Sequence, residues 1–442
     1  MLLGLMKRFS NESLASSILL FIAAIGAAII ANSSIAPEYQ EFLSHELHLR
    51  IGDFNLLSHN GKNLTMIEFI NDGLMSIFFL SVGLEIKREL LVGELSSFRK
   101  AILPFIAACG GMIIPVLIYS FICPPGTTMG QGLAIPMATD IAFSLGVLSL
   151  LGSRVPLSLK VFLVAFAVVD DIGGILVIAL YYTSHVSWGY LLAAAVLYVF
   201  LYFIGKHGAT AKLYYLIVGV IIWYLFLQSG IHSTISGVLL ALVIPAKPQL
   251  NVTKYVEYIR TVISTFPELD AKKENIVLNN QQIAKLKAVE SASDRVISPL
   301  QSLEDNLHGA VNFIILPLFA FVNAGVMFNS DADLIGEVSI GVALGLLLGK
   351  FIGIYSFTWL TIKSGITQMP MGMNWKNIAG VALLGGIGFT VSLFVANLSF
   401  GTTHPILLNQ AKFGVISGTI LSGIIGYAVL NWVLPKTAKA KG

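Results

Sequence analysis

"FLVAFAVVDDIGGILVIAL", residues 162–180, carries two adjacent carboxylates, Asp170 and Asp171, in the middle of an otherwise uncharged run. A run of this length and apolarity is what a bilayer-spanning helix requires, roughly 20 residues. A charge at bilayer depth costs at least about 2.5–3.5 kcal/mol on insertion scales, so each one needs a partner or a task. A buried structural ion pair accounts for one carboxylate but not easily for two. Successive helical residues point about 100° apart, so the pair does not face itself as an acid dyad, yet both side chains can border one cavity. Carboxylate oxygens are hard ligands suited to Na⁺ or Li⁺, and they also bind protons. One group that holds either ion, never both, is the minimal part of an exchanger.

The rest of the chain agrees with a membrane setting. Charged residues make up 12% of the 442, about half the usual quarter, and hydrophobic residues reach 56%. Mean hydropathy is +0.82. The 41 glycines suit close helix packing in lipid and interrupted helices. Apolar runs recur at 14–33, 65–84, 101–123, 128–150, 157–182, 189–206, 212–227, 230–245, 306–328, 338–361, 377–400 and 407–433. The sequence therefore predicts an all-α polytopic protein of about twelve spans. No small-residue cleavage site follows the basic start at Lys7 and Arg8, so 17–32 reads as a retained span. Cys109 and Cys123 lie in one apolar stretch, about 21 Å apart along a helix, and read as packing residues. A net charge of +3 without a basic patch excludes a nucleic-acid partner. There is no Walker, CxxC or HExxH motif, and the chain is read as a protein without cofactor and without enzymatic chemistry.

With these spans, 23 of the 27 bases fall on one side, including Lys87, Arg88, Arg154, the 246–305 segment and the tail lysines Lys436, Lys439 and Lys441. The other side holds Arg50 and Lys62, with Lys412 near a span end and acidic Asp331, Asp333 and Glu337 in its loops. The positive-inside rule then puts both termini in the cytoplasm. Spans 1–8 fill residues 1–246, with an outer loop at 34–64, and spans 9–12 and a cytoplasmic tail fill 298–442. In the outer loop, 47–55 alternates apolar and polar around Gly52 and Asp53, the pattern of a short β-hairpin. Residues 247–297, with Lys272, Lys273, Glu274, Gln281 and Gln282, are polar and read as a cytoplasmic linker with some helix, or else a regulatory module.

Four further ionisable residues sit at membrane depth. Asp140 follows Pro136 in "GLAIPMATDIAFSLG" (132–146), where the proline removes a backbone donor and Thr139 and Asp140 offer local hydrogen bonds. This reads as an interrupted helix, tolerated only where it lines protein or water, with Asp140 neutralising a positive helix end; an ordinary proline kink is the plainer reading. A second interruption is expected in "GVALLGGIGFTVSL" (380–393) at Gly385, Gly386 and Gly388. Lys350, the tenth span's lone charge, needs a carboxylate partner, Asp170 or Asp171. His232, near a span end, is either a structural hydrogen-bonder or a proton sensor. Asp72, beside Asn71, either lines an entrance or sits at the interface.

At these residues the chain resembles the NhaA family of bacterial sodium–proton antiporters. The likeness runs from "NDGLMSIFFLSVGLEIKRE" (71–89) through 134–171 to "ILPLFAFVNAG" (315–325), Lys350 and "GGIGFTVSLF" (385–394), roughly four-fifths of the chain. The resemblance implies a secondary transporter exchanging Na⁺ or Li⁺ for H⁺ by alternating access in the bacterial inner membrane, serving sodium and pH homeostasis, electrogenic and pH-regulated. Inverted repeats are the family's known architecture rather than a deduction from these residues. It further implies that Asp171 is the principal cation ligand, that Asp170 pairs with Lys350, and that Thr139 and Asp140 lie where two unwound spans cross. Asp140 would offset the positive helix ends there and Lys350 the negative ones. Glu85, Glu304 and His232 match positions linked to pH response, and the outer hairpin, 45–58, matches a homodimer contact. Two departures stand out: the 247–297 loop is much longer than in well-studied members, and Gln301 and Ser302 replace basic residues.

A cation channel would call for a repeated acidic ring, which single-copy Asp170 and Asp171 with Lys350 do not make. An intramembrane aspartyl protease would need a GxGD motif, absent here, and leaves Lys350 without a purpose. A transporter of another small solute on the same fold would want a cationic pocket for an organic anion.

Overall fold

The computed structural model describes residues 2–435 apart from 52–53, 60–61, 184–185, 208–210, 249, 267–277, 329–333 and 402. The expected turn residues Gly52 and Asp53, the linker residues Lys272, Lys273 and Glu274, the loop residues Asp331 and Asp333, and the tail lysines lie outside the described residues.

In chain order the helices are α1 (Leu14–Ala31), α2 (Ala36–Ser44), α3 (Met66–Leu91), α4 (Phe98–Ile122), α5 (Met129–Met137), α6 (Ile141–Ser149), α7 (Leu157–Tyr181), α8 (Trp188–Lys206) and α9 (Lys212–Ser229). They continue as α10 (Thr234–Val243), α11 (Val252–Ser264), α12 (Asn280–Val296), α13 (Pro299–Asn323), α14 (Glu337–Lys363), α15 (Trp375–Leu384), α16 (Phe389–Phe400) and α17 (Pro405–Val433). Among the described residues nine helices are long and apolar enough to cross a membrane, or up to eleven if each of two bent pairs, α5–α6 and α15–α16, is one span. The predicted span at 230–245 appears as α10, only 10 residues long, or about 15 Å.

The surface is turned inside out relative to a water-soluble protein. Phe121 is 90% exposed and Leu180 83%, while Lys350 is 0% exposed. Large apolar side chains on the outside cost little in lipid, whereas the buried charges must find one another. Helix α7 starts directly after Pro156 and contains no proline, so its hydrogen-bond ladder runs unbroken past Asp170 and Asp171. Helix α4 by contrast holds Pro104 and Pro115. It packs against α14 through Gly110 and Gly353, where a Cβ on either glycine would run into the other's backbone carbonyl. That close approach brings Lys350, three residues earlier on α14, up to α7. A wide π turn, Gly345–Gly349, leads directly into Lys350, and similar turns occur at Phe69–Leu74 in α3 and Val311–Ile315 in α13.

The outer loop holds two hairpins where the sequence suggests one. Strands β1 (Arg50–Ile51) and β2 (Phe54–Asn55) pair antiparallel as expected. Strands β3 (Ser58–His59) and β4 (Lys62–Asn63) form a second pair. The second had its own signal in the sequence, the Asn60-Gly61 dipeptide typical of two-residue hairpin turns, which the apolar–polar alternation does not register. An amide hydrogen bond from Asn55 to Asn63 (2.7 Å) ties the two hairpins together. The polar 247–297 segment contains α11 and α12, which lie side by side: the Tyr255 hydroxyl meets Ser293 at 2.7 Å and Lys285 donates to Thr265 at 2.9 Å.

Candidate functional site

The two bent pairs meet at their breaks, and each supplies what the other's broken backbone lacks. Asp140 N–H donates to the Ile387 carbonyl at 2.6 Å. The Thr139 hydroxyl donates to Gly385 O (2.8 Å), Ser144 to Leu384 O (3.0 Å) and Ser392 to Ile135 O (2.8 Å). Interrupting a helix at this depth strands carbonyls and amides; here hydroxyls from one pair cap the carbonyls of the other. The stranded amides are met by a carboxylate. Asp140 Oδ1 accepts from Phe143 N–H at 3.0 Å at the start of α6. Its Oδ2 accepts from Thr390 N–H at 3.2 Å and the Thr390 hydroxyl at 2.6 Å at the start of α16. One carboxyl group therefore caps two helix N-termini, a position at which a negative charge is electrostatically favoured.

Asp170 and Asp171 are both buried in α7, at 2% and 8% exposure. The angle between them separates their surroundings. Asp170 Oδ2 lies 2.5 Å from Lys350 Nζ, a charge-assisted contact closed off from solvent. Asp171 lines a cavity of about 610 Å³ together with Thr139, Asp140, Glu85, Arg88 and Glu304. Asp170 is not among the residues lining this cavity; its Oδ2 is turned toward Lys350 on α14.

Arg88, one turn beyond Glu85 on α3, pairs with Glu304 of α13 at 2.6 Å. His232 lies elsewhere. With Asp72 it lines a second cavity, of about 940 Å³, to which Glu46, His59 and Glu68 also contribute. His232 Nδ1 is 3.9 Å from Asp72 Oδ1. Asp72 and Glu85 belong to the same helix, about 20 Å apart along it, and Phe79 lies between them. The Phe79 ring is 5.7 Å from that of Phe394, which in turn contacts Phe319 (6.3 Å) and His232 (6.2 Å). Asp171 lines the first cavity and not the second. The structure thus brings Glu85 and Glu304 together and sets His232 apart with Asp72.

Three contributors were not singled out in the sequence. Thr390 holds Asp140, and the signal was there: a hydroxyl residue directly after the glycine break at 385–388, in the first turn of a new helix. Arg88 shares a face with Glu85 by its i+3 spacing. Asn323 is fully buried and exchanges side-chain amide hydrogen bonds with Asn71 (2.8 Å) and Asn397 (2.8 Å), joining α3, α13 and α16. Amides carry no charge anomaly, so hydropathy passes over them. Among the described residues no group of three or more His, Cys, Asp or Glu could hold a metal ion.

Comparison with known proteins gives consistent relatives. The family model described as Na⁺/H⁺ antiporter 1 matches residues 7–430. A Na⁺/H⁺ antiporter NhaA of Bacteroides fragilis is 78% identical over 431 residues, 98% of each chain. One of Bacteroides thetaiotaomicron is 74% identical over 434 residues, again 98% of each. One of Parabacteroides distasonis is 48% identical over 439 residues, 98% of this chain and 96% of the other.

Proposed function

The chain belongs to the Na⁺/H⁺ antiporter 1 family, and from that premise we propose how its residues divide the work of Na⁺/H⁺ exchange across the inner membrane. Asp171 binds the cation, or a proton in its place. Asp170 takes part through its pairing with Lys350, giving the site two titrating carboxylates and one counter-cation. Asp140 offsets the positive ends of α6 and α16, Lys350 the negative ends of α5 and α15, and Thr139 lies at the crossing. Each bent pair is one interrupted span, and with α10 counted the spans number twelve, arranged as inverted repeats with both termini cytoplasmic and 247–297 as a cytoplasmic linker between 1–246 and 298–442.

The single observation that carries this reading is the division between neighbours: Asp171 faces a cavity while Asp170 holds Lys350 at 2.5 Å. An exchanger needs one accessible group whose charge the surroundings tolerate in both ion-bound states, and Lys350 together with the helix ends supplies that tolerance. Among the described residues, Asp171 lines the cavity of Glu85, Arg88 and Glu304 and not that of Asp72, which supports alternating access. Glu85 and Glu304 serve pH response on that side, and His232, the third such residue, lines the opposite entrance with Asp72. The outer hairpin, 45–58, forms the contact of a homodimer. Li⁺ is an alternative cation, and two titrating carboxylates per Na⁺ make exchange electrogenic.

The test is dye-monitored proton movement in everted vesicles with Na⁺, Li⁺, K⁺ and choline added in turn. Na⁺ and Li⁺ should dissipate the gradient, K⁺ and choline should not. Asp171→Asn, which removes charge and exchangeable proton with little change of shape, should insert normally and lose all response. Na⁺-driven proton release from that variant at the parental rate would end the assignment.

A further inference from the structure

Helix α11 is two-faced. Its inner side packs on α12, with Val262 at 5% exposure and Tyr255 bonded to Ser293. Its other side is apolar and uncovered: Val252 is 61% exposed, Val256 41% and Ile263 67%. At 100° per residue these three fall within about 40° of one another around the axis, so they form one stripe along three turns, with Arg260 beside it. A linker that merely joins two spans through water has no use for such a stripe.

The root of this helix pair is clamped at the membrane. Leu300 N–H, in the first turn of α13, donates to Pro245 O at 3.2 Å, and Leu250 N–H donates to Arg295 O at 3.0 Å. The first bond ties the end of α10 to the start of α13, and the second ties the start of α11 to the end of α12, so the pair rises from a closed base. Exposed apolar side chains continue through the root, at Leu242 (48%) and Ile297 (42%), so the lipid-facing surface of the spans runs on toward the stripe. Arg260, about 40° from Val256 around the axis, sets a base beside the stripe for lipid phosphates.

We propose that α11 is a membrane-surface foot: its Val252, Val256 and Ile263 stripe lies in the headgroup and upper acyl region of the bilayer, next to the helices that anchor it. Amphipathic helices of this kind seat their apolar face about 5–10 Å into the interface. Tethering through the clamped root converts weak partitioning into stable contact, because the bilayer is always within reach. This goes beyond the linker role of 247–297 and does not depend on which carboxylate binds Na⁺.

The experiment uses the full chain in liposomes of mixed zwitterionic and anionic phospholipid, in a Cys109→Ala, Cys123→Ala background shown to exchange. An environment-sensitive fluorophore is attached at Ile263→Cys and, separately, at Thr261→Cys on the opposite face. At 263 the emission should shift to the blue, a nitroxide on shallow acyl carbons should quench it, and aqueous iodide should quench it at least fivefold less than at 261. Equal iodide quenching at both positions would overturn the proposal. Shielding from iodide without quenching by the lipid nitroxide would also overturn it, since the cover would then be protein. As a second measure with native cysteines, Val256→Glu with Ile263→Glu should make protease cleavage within 252–264 in liposomes at least tenfold faster, and an unchanged rate would count against the foot.

Discussion

Consider the removal of Lys350. Its ammonium is fully buried and lies 2.5 Å from an Asp170 carboxylate that is 2% exposed. Lys350→Met keeps the length and apolar volume of the side chain but leaves Asp170 without its counter-charge. Breaking one member of a buried pair costs about 3–5 kcal/mol, or roughly two to four powers of ten in the unfolding equilibrium at about 1.4 kcal/mol per decade. Asp170→Asn should cost a similar amount, since it strands the ammonium. The double variant strands nothing, and apolar or neutral replacement of a whole buried pair is often close to neutral. A double-mutant cycle should therefore return a coupling of at least about 2 kcal/mol, several times the roughly 0.3–0.5 kcal/mol within which independent sites add. The assay is reversible unfolding in detergent at fixed pH, on the parent, both single variants and the double. Additive losses would show that the contact stores no coupling, and the charge-pair account of Lys350 would fail.

Three further outcomes follow from the same geometry. If Na⁺ and protons compete at Asp171, the Na⁺ concentration for half-maximal exchange in proteoliposomes should rise about tenfold per pH unit of acidification for each competing proton and level off in alkali; a flat acid limb would sink the shared site, and a rate indifferent to a valinomycin-set voltage would overturn electrogenicity. Thr390→Val removes the 2.6 Å hydroxyl donor to Asp140 and should cost about 1.5–3 kcal/mol in detergent unfolding, as hydrogen bonds to charged groups do, whereas Thr390→Ser should cost little. Replacing 255–295 by a short Gly-Ser link is geometrically easy, because Leu250 and Arg295 are already hydrogen-bonded, and should leave exchange at saturating Na⁺ nearly intact; loss of transport in a normally inserted protein would make the segment part of the machine.

The charges that hydrocarbon makes expensive were legible in the sequence, and so were the helices around them. Asp140, Asp170, Asp171 and Lys350 stand out because insertion cost makes each improbable without a reason, and the breaks at Pro136 and Gly385–Gly388 follow from backbone chemistry alone. Which aspartate meets Lys350 was left open by the residues alone and was named, as Asp170, only by the family resemblance. That depends on how far α7 is rotated relative to α14, and a single chain of residues fixes angles within a helix but not between helices. The same gap left open what His232 faces, a cavity that it shares with Asp72. Polar residues that carry no charge, such as Asn323 and Thr390, were passed over because their cost in lipid is small enough to be met locally. The α11 stripe was missed because a polar segment averages away one apolar face.

Phe394 and Thr390 belong to the same helix, one turn apart, and so present side chains on one face. The first closes the aromatic contact with Phe79, and the second grips Asp140. A membrane that stores energy as an ion gradient cannot tolerate a leak: one continuous water thread from the Asp72 cavity to Asp171 would short-circuit the cell's proton battery at every copy of the protein. On the proposed reading, α16 carries both the aromatic plug and the grip on Asp140, so a movement of that helix that opens one disturbs the other. Insulation and the proposed ion binding would then be wired in series, a fault in one registering in the other.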